Sequence, residues 1–325
     1  MFFRTTLAVI TTVVIITTSC ISTWMAADKT VKAQVPGVYS FRLGEITITA
    51  LSDGTVPQDL NKVLTNTNLK STEIESLLQR DFLTNPVEAS INAFLIDTGD
   101  KQVLVDTGVG QLFGPKLGGK LQASLKASGY TPGEIDTILL THIHADHSGG
   151  LIENGQLMFP TATVYVGKPD VDFWLDPANA ANAERLRIDR KNFDDAVKTV
   201  KPYIDAGKLK TFSGQTTILP GITALPTPGH TPGHSFYLVE SGGESIEFCG
   251  DIIHFASIQF PNPKIPVIYD VNPNAAVEQR EKQFARVEKS RHLIATAHLP
   301  FPGVGHIRAD KPGYTWVPID YRWRD

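Results

Sequence analysis

Three histidines and one aspartate are crowded into one short segment of the chain. His142, His144, Asp146 and His147 lie within six residues, directly after the apolar run 138–140. Neutral imidazole and carboxylate are ligands that suit zinc and neighbouring divalent metals. A loop leaving the end of a buried strand can turn all four side chains into one space. The segment therefore predicts a metal site, since a polar surface loop has no need of imidazoles.

Three later positions supply further candidate ligands. His230 lies in the segment 227–234, whose proline and glycine residues indicate a rigid turn. Asp251 follows a short apolar run that begins at residue 246, and His298 ends another that begins at residue 293. Four junctions between a strand and a loop thus each deliver ligands, which is enough for a second metal.

The order of these ligands resembles that of the metallo-β-lactamase superfamily over nearly the whole chain after its N-terminal segment. The motif His-x-His-x-Asp-His with a later His, Asp and His is specific for that family. The segments 112–115, 172–175 and 298–303 are similar to methyl parathion hydrolase and its lactonase and aryl-esterase relatives. The resemblance implies an α/β fold of four layers, an αβ/βα sandwich.

The resemblance also implies a centre with two divalent cations. Zinc is the first choice, and Mn, Fe and Co remain open because these ligands serve all four metals. A hydroxide between two such cations would be the nucleophile, and Asp251 and Asp146 would act in catalysis by holding this centre. The implied ligand sets are His142, His144 and His230 for one cation and Asp146, His147 and His298 for the other, with Asp251 bridging them.

His254 has two interpretations. It lies three residues after Asp251, where some related lactonases carry a tyrosine that polarises the substrate oxygen. His254 is therefore a candidate catalytic residue that contacts the substrate or the leaving group. The alternative is a buried histidine that only forms hydrogen bonds.

Four other residues are expected to have structural roles. His234 and Asp106 are expected to support the ligands rather than to bind metal. Asp53 is interpreted as a simple turn aspartate. Cys249 is interpreted as a small buried apolar residue.

Aromatic residues are expected to select the substrate. The resemblance places Phe113, Trp174 and Phe193 at the mouth of the pocket, where they would favour flat, apolar molecules. For Trp174 a position in the core is an equal alternative, and for Phe173 it is preferred. Basic residues do not cluster near these aromatics, which argues against nucleic acid as a partner.

The predicted function is hydrolysis of lactones, aryl esters or organophosphate triesters by the dinuclear centre. The alternatives are a β-lactam hydrolase of the same fold and a mononuclear iron enzyme that oxidises or handles sulfur compounds. The complete second ligand set argues against the iron enzyme. A protein that binds metal without catalysis is a further alternative. The resemblance leaves a homodimer open.

The N-terminal segment predicts export. Arg4 precedes an apolar stretch, and small residues suitable for cleavage follow, so residues 1–27 are interpreted as a signal peptide of a periplasmic or secreted protein. No stable membrane span is expected after processing. A retained N-terminal anchor and a lipid on Cys20 are the alternatives.

The elements that must position the ligands are strands and helices in alternation. The chain has 325 residues, 42% of them hydrophobic, and we expect a single domain over residues 36–325. A hairpin through Gly44 is predicted, with further strands at 91–96, 102–105 and 163–166 and near residues 210, 223, 236 and 247. Helices are predicted at 73–80, 117–128, 182–200 and 275–290, the third broken by Pro202.

Overall fold

The computed structural model describes residues 34–322, whose strands form two large sheets. The predicted signal peptide and Cys20 lie outside the described residues. In spatial order the first sheet contains β1 (Val38–Leu43), β2 (Ile46–Gln58), β3 (Val87–Asp97), β4 (Gln102–Val105), β5 (Thr137–Leu139), β8 (Thr163–Gly167) and β9 (Leu209–Phe212). The strands β6 (Ile152–Glu153) and β7 (Gln156–Leu157) form a small hairpin.

The second sheet follows the first in sequence. It contains β10 (Thr216–Leu219), β11 (Ile222–Pro226), β12 (Ser235–Ser241), β13 (Glu244–Phe248), β14 (Leu293–Ala295), β15 (Val304–Ala309) and β16 (Tyr314–Pro318), in that spatial order. The helices are α1 (Leu60–Val63), α2 (Ser71–Arg80), α3 (Leu121–Ala127), α4 (Ala145–Ser148), α5 (Lys168–Trp174), α6 (Pro177–Ala181), α7 (Ala183–Leu186), α8 (Arg190–Asp205), α9 (Ala256–Gln259) and α10 (Pro273–Ser290).

The sheets pack face to face and carry helices on their outer faces. Alternate residues of a strand point to opposite faces, so Val103 and Val105 of β4 join the core between the sheets, while Leu104 joins the core under α3, α5 and α8. On the far side of the second sheet, Phe284 and Val287 of α10 pack against the strands. The predicted four-layer sandwich is confirmed.

Parallel strand pairs bring the site together. Strand β4 pairs in parallel with β5, and β13 pairs in parallel with β14. The carboxyl ends of parallel strands meet at one edge of a sheet, where ligands commonly bind. The segments with Asp106, His142, Asp251 and His298 follow these four strands directly.

Two predicted helices differ from the observed ones. The helix predicted at 117–128 begins only at Leu121, because Gly118 and Gly119 have positive φ angles of 60° and 69°. The helix predicted at 182–200 is two helices, since Arg187 adopts the left-handed conformation and Asp189 caps a new start. Pro202 lies inside α8 and does not end it, and the last turn closes with the Ala206 N–H donating to the Pro202 carbonyl.

The hairpin through Gly44 is observed, with β1 and β2 antiparallel on either side of it. Within residues 34–322, no helix is both long and apolar enough to cross a membrane.

Candidate metal centre

The predicted ligands converge beyond the ends of strands from both sheets. The ligand atoms of one group all lie within 4.8 Å of one another, and so do those of a second group. The first group is His142, His144, His230 and Asp251, and the second is Asp146, His147 and His298. The segment after β5, including helix α4, supplies four of these side chains, and segments of the second sheet supply three, so the centre joins both halves of the fold.

Asp251 lies between the two groups with one oxygen toward each. Its Oδ2 is 3.2 Å from His230 Nε2 and 3.7 Å from His142 Nε2. Its Oδ1 is 3.0 Å from His147 Nε2 and 3.0 Å from His298 Nε2. This placement suits a carboxylate that bridges two cations.

The environment of these atoms fits divalent cations. Among the described residues, His147 Nε2 and Asp251 Oδ1 are buried without a hydrogen-bond partner, which is costly unless another group satisfies them. Burial alone would raise the pKa of Asp251, but the surrounding histidines, His147 first, hold it well below its usual value. Burial also lowers the pKa of His142 and His144 well below the usual value, so both are neutral. At His147, His230 and His298 burial also opposes the charged form, but the adjacent Asp251 raises the pKa above its usual value, so a cation must displace protons there. Ionised carboxylate and neutral imidazole are the forms that bind zinc.

Fixed acceptors orient three of the imidazole rings. The Nδ1–H groups of His147, His230 and His298 donate hydrogen bonds of 2.8 Å. Their acceptors are, in the same order, Asp106 Oδ2, Asp270 Oδ1 and the Ser90 carbonyl oxygen. In each ring Nε2 is thereby the atom left to bind a cation. Asp106 has the supporting position expected from the sequence. Asp270 was not anticipated, because it belongs to no recognisable motif.

His234 holds Asp251 rather than joining the ligands. Its Nε2 accepts a hydrogen bond of 3.0 Å from the Asp251 backbone N–H, and its Nδ1 lies 2.8 Å from Thr227 Oγ1. Burial lowers its pKa to about 3, so the ring is neutral.

His254 touches the centre from the side of the second sheet. Its Nε2 is 3.1 Å from Asp251 Oδ2, and its ring stacks on His298 at 4.9 Å between ring centroids. The side chain is only 5% exposed, and burial lowers its pKa to about 4. His254 also forms a group of potential ligands with Asp251 and His298, so it is an additional candidate ligand. It is buried, is hydrogen-bonded to Asp251 and lines the cavity described next.

A cavity of about 260 Å³ opens onto Asp146, Asp251 and His298. One part of its wall is apolar and comes from β2, β3 and the segments after β4 and β13. These residues are Val56, Ala89, Ile91, Leu112, Phe113 and Phe255. The other part is polar and consists of Gln58, Lys191, Asn192, Asp195 and Tyr269.

Of the three aromatics expected at the pocket mouth, Phe113 lines the cavity and the other two do not. Trp174 and Phe193 are 1% and 0% exposed, and their rings pack 5.0 Å apart in the core of the first sheet. The apolar faces of α5 and α8 turn toward that sheet, which corrects the expected position of both residues. The Trp174 ring still packs edge-on against the His144 ring, with 5.1 Å between the ring centroids, and so supports that ligand.

Asp53 also differs from its interpretation as a simple turn residue. Its buried carboxylate accepts hydrogen bonds from the N–H groups of Val109, Gly119 and Leu121 and so fastens the segment after β4. Cys249 is buried, as expected.

Three residues that line the cavity were not predicted from the sequence, because each lies in a stretch with no ligand motif. They are Tyr269, Lys191 and Asn192.

Two solved structures with the same architecture are hydrolases. The hydrolase AbOPH of the beta lactamase superfamily is 39% identical with a TM-score of 0.83, and the match covers 89% of this chain and 100% of that one. AidC, a dizinc quorum-quenching lactonase solved with the product N-hexanoyl-L-homoserine, is 28% identical with a TM-score of 0.80 over 89% of this chain and 100% of that one.

Sequence relatives agree with these structures. A probable metallo-hydrolase of Mycobacterium tuberculosis is 29% identical over 237 residues, which are 64% of this chain and 74% of the relative. An N-acyl homoserine lactonase of a Bacillus species is 26% identical over 167 residues, 46% of this chain and 57% of that protein. Residues 87–298, which include all seven predicted ligands, match the metallo-beta-lactamase superfamily, and the chain belongs to that family.

Proposed function

We propose that this protein is a dinuclear hydrolase that opens lactones and cleaves aryl esters. The observation that carries the proposal is the position of Asp251, which presents one oxygen to each ligand group at the base of a partly apolar cavity. The lactonases AidC and N-acyl homoserine lactonase support the substrate class.

Seven side chains would hold the two cations. His142, His144 and His230 would hold one, Asp146, His147 and His298 the other, and Asp251 both. Zinc is the first choice because the donors are imidazole and carboxylate and because AidC is a dizinc enzyme. Cations held there would lower the pKa of a bound water toward neutrality and would polarise the ester carbonyl.

The chain's own residues then bind and orient the substrate. The apolar wall formed by Val56, Ile91 and Phe113 takes an acyl chain or an aryl ring and excludes water from it. His254, held 3.1 Å from Asp251, is positioned to contact the ester oxygen or the departing alcohol. Its neutral ring can accept or return a proton there, which is the role of a general acid or base.

Organophosphate triesters are proposed as secondary substrates. A site that polarises a carbonyl oxygen can also accept a phosphoryl oxygen. One change in an apolar pocket shifts selectivity by only about 1–3 kcal/mol. The similarity to the methyl parathion hydrolase branch therefore stays a proposal about selectivity within the family.

The test compares kcat/KM of the purified, zinc-loaded protein for an aryl lactone and for methyl parathion. A lactone value at least a hundredfold higher supports the assignment. The reverse ratio would identify a specialised organophosphate hydrolase. Metal binding without turnover of either substrate would contradict the proposed activity.

Export and self-association extend the proposal. The signal-like pattern of residues 1–27 supports a periplasmic or secreted enzyme, and the mass of the mature chain tests it. A homodimer is the proposed alternative to a monomer, and sedimentation distinguishes them.

A further inference from the structure

Asp170 is a buried carboxylate close to the metal centre. It lies in the first turn of α5 and is 0% exposed. Its Oδ2 accepts hydrogen bonds from the Ile143 N–H at 2.8 Å and from Thr231 Oγ1 at 3.0 Å, and its Oδ1 accepts one from the Gly233 N–H. None of the ion pairs among residues 34–322 includes Asp170. A buried charge without a cationic partner is costly, so the three hydrogen bonds are what stabilises the buried Asp170 carboxylate.

The three donors belong to the two segments that carry one ligand group. Ile143 lies between His142 and His144, and Thr231 follows His230 directly. The carboxylate therefore ties the loop after β5 to the turn between β11 and β12. Asp170 makes no hydrogen bond to the ligands of the other group, whose His147 is held by Asp106 and whose His298 is held by the Ser90 carbonyl. Asp106 also accepts hydrogen bonds from Thr141, which precedes His142.

Close packing makes this link rigid. A Cβ atom on Gly233 would lie 2.5 Å from the Asp170 backbone nitrogen and 2.9 Å from its Oδ1. A Cβ atom on Gly167, just before α5, would lie 2.4 Å from the Gly233 carbonyl oxygen. The turn that carries His230 thus packs directly against the start of α5, with no room for a side chain at position 233.

We propose that Asp170 is a positioning residue that sets the spacing of His142, His144 and His230 and thereby selectively raises the cation affinity of that group. The inference rests on the proposed function only in that the centre binds divalent cations. It does not depend on the substrate.

The test is a zinc titration of the full-length protein against a chromophoric chelator, with the variants D170N and D53N. An asparagine at position 170 must turn its NH2 group toward at least one of three donors. Asp53 is the matched control because it is also a buried carboxylate with three donors, the N–H groups of Val109, Gly119 and Leu121, and none of these lies in a segment that carries a ligand. Mutation of a residue that supports a metal ligand typically lowers metal affinity about 10–100-fold.

We expect D170N to weaken one zinc site at least tenfold and to leave the other unchanged. The visible spectrum of the Co²⁺-loaded protein should change as well. D53N should lower the melting temperature without changing either affinity. T231V removes only one of the three donors and should weaken the same site less, which provides a milder variant if D170N does not fold.

Two results would overturn the inference. One is wild-type zinc affinities and an unchanged Co²⁺ spectrum in D170N or, if that variant does not fold, in T231V. The other is an equal loss of affinity in D170N and D53N. A wild-type protein that binds no zinc would instead refute the proposed metal-dependent function.

Discussion

His254 differs from the histidines oriented by fixed acceptors. Its Nδ1 is buried without a hydrogen-bond partner among the described residues, while its Nε2 lies beside Asp251. If His254 contacts the reacting oxygen, H254L should lower kcat for an aryl lactone about a hundredfold. If His254 acts on the substrate rather than as a ligand, zinc content measured by mass spectrometry should stay at the wild-type value. The exposed His306 provides the control H306L, which should keep full activity. Unchanged turnover in H254L would leave His254 a structural residue.

His230 makes zinc binding dependent on pH. Burial alone would lower its pKa, but Asp251 and Asp270 raise it to about 9, so the cation-free protein carries a proton on His230 at pH 7. Asp251 also raises the pKa of His147 and His298 against the effect of burial. Zinc must displace the protons on these rings, and zinc affinity should therefore rise with pH between about 7 and 9. Calorimetry in two buffers of different ionisation enthalpy measures the proton released at pH 7. D270N removes one of the two charges and should reduce that release. A release that D270N does not change would contradict this account.

The aromatic residues Trp174 and Phe113 were both expected at the pocket mouth, but Trp174 packs in the core of helices α5 and α8 and Phe113 lines the cavity. Trp174 is fully packed against Phe193, so W174A should destabilise the fold by about 3–5 kcal/mol. Phe113 lies in an irregular segment and is only half-buried, so F113A should change kcat/KM for aryl substrates with little loss of stability. Chemical denaturation and steady-state kinetics on both variants separate the two effects. Equal stability losses would contradict the assignment.

The sequence predicts elements better than contacts. The ligand order from His142 to His298 depends on local motifs, and the structure brings those residues together. The helix starts at Leu121 and Arg190 depend on glycines and on a left-handed residue whose backbone angles no periodicity reveals. Asp170 and Asp270 act through partners 27 to 63 residues away, so their roles follow only from the packing of loops.

The whole molecule is two sheets that share one metal centre. His142, His144, Asp146 and His147 come from the first half of the chain, and His230, Asp251 and His298 from the second. Cations bind this centre only when both halves are folded, so they stabilise the folded state. At a free cation concentration about a thousand times the Kd, they add about 4 kcal/mol to the free energy of unfolding. Removing them with a chelator should lower the melting temperature by roughly 10 °C and abolish turnover. Added Zn²⁺ should restore both. If the chelated protein melts at the wild-type temperature, the cations are not what holds the two sheets together, and the large core between the sheets suffices.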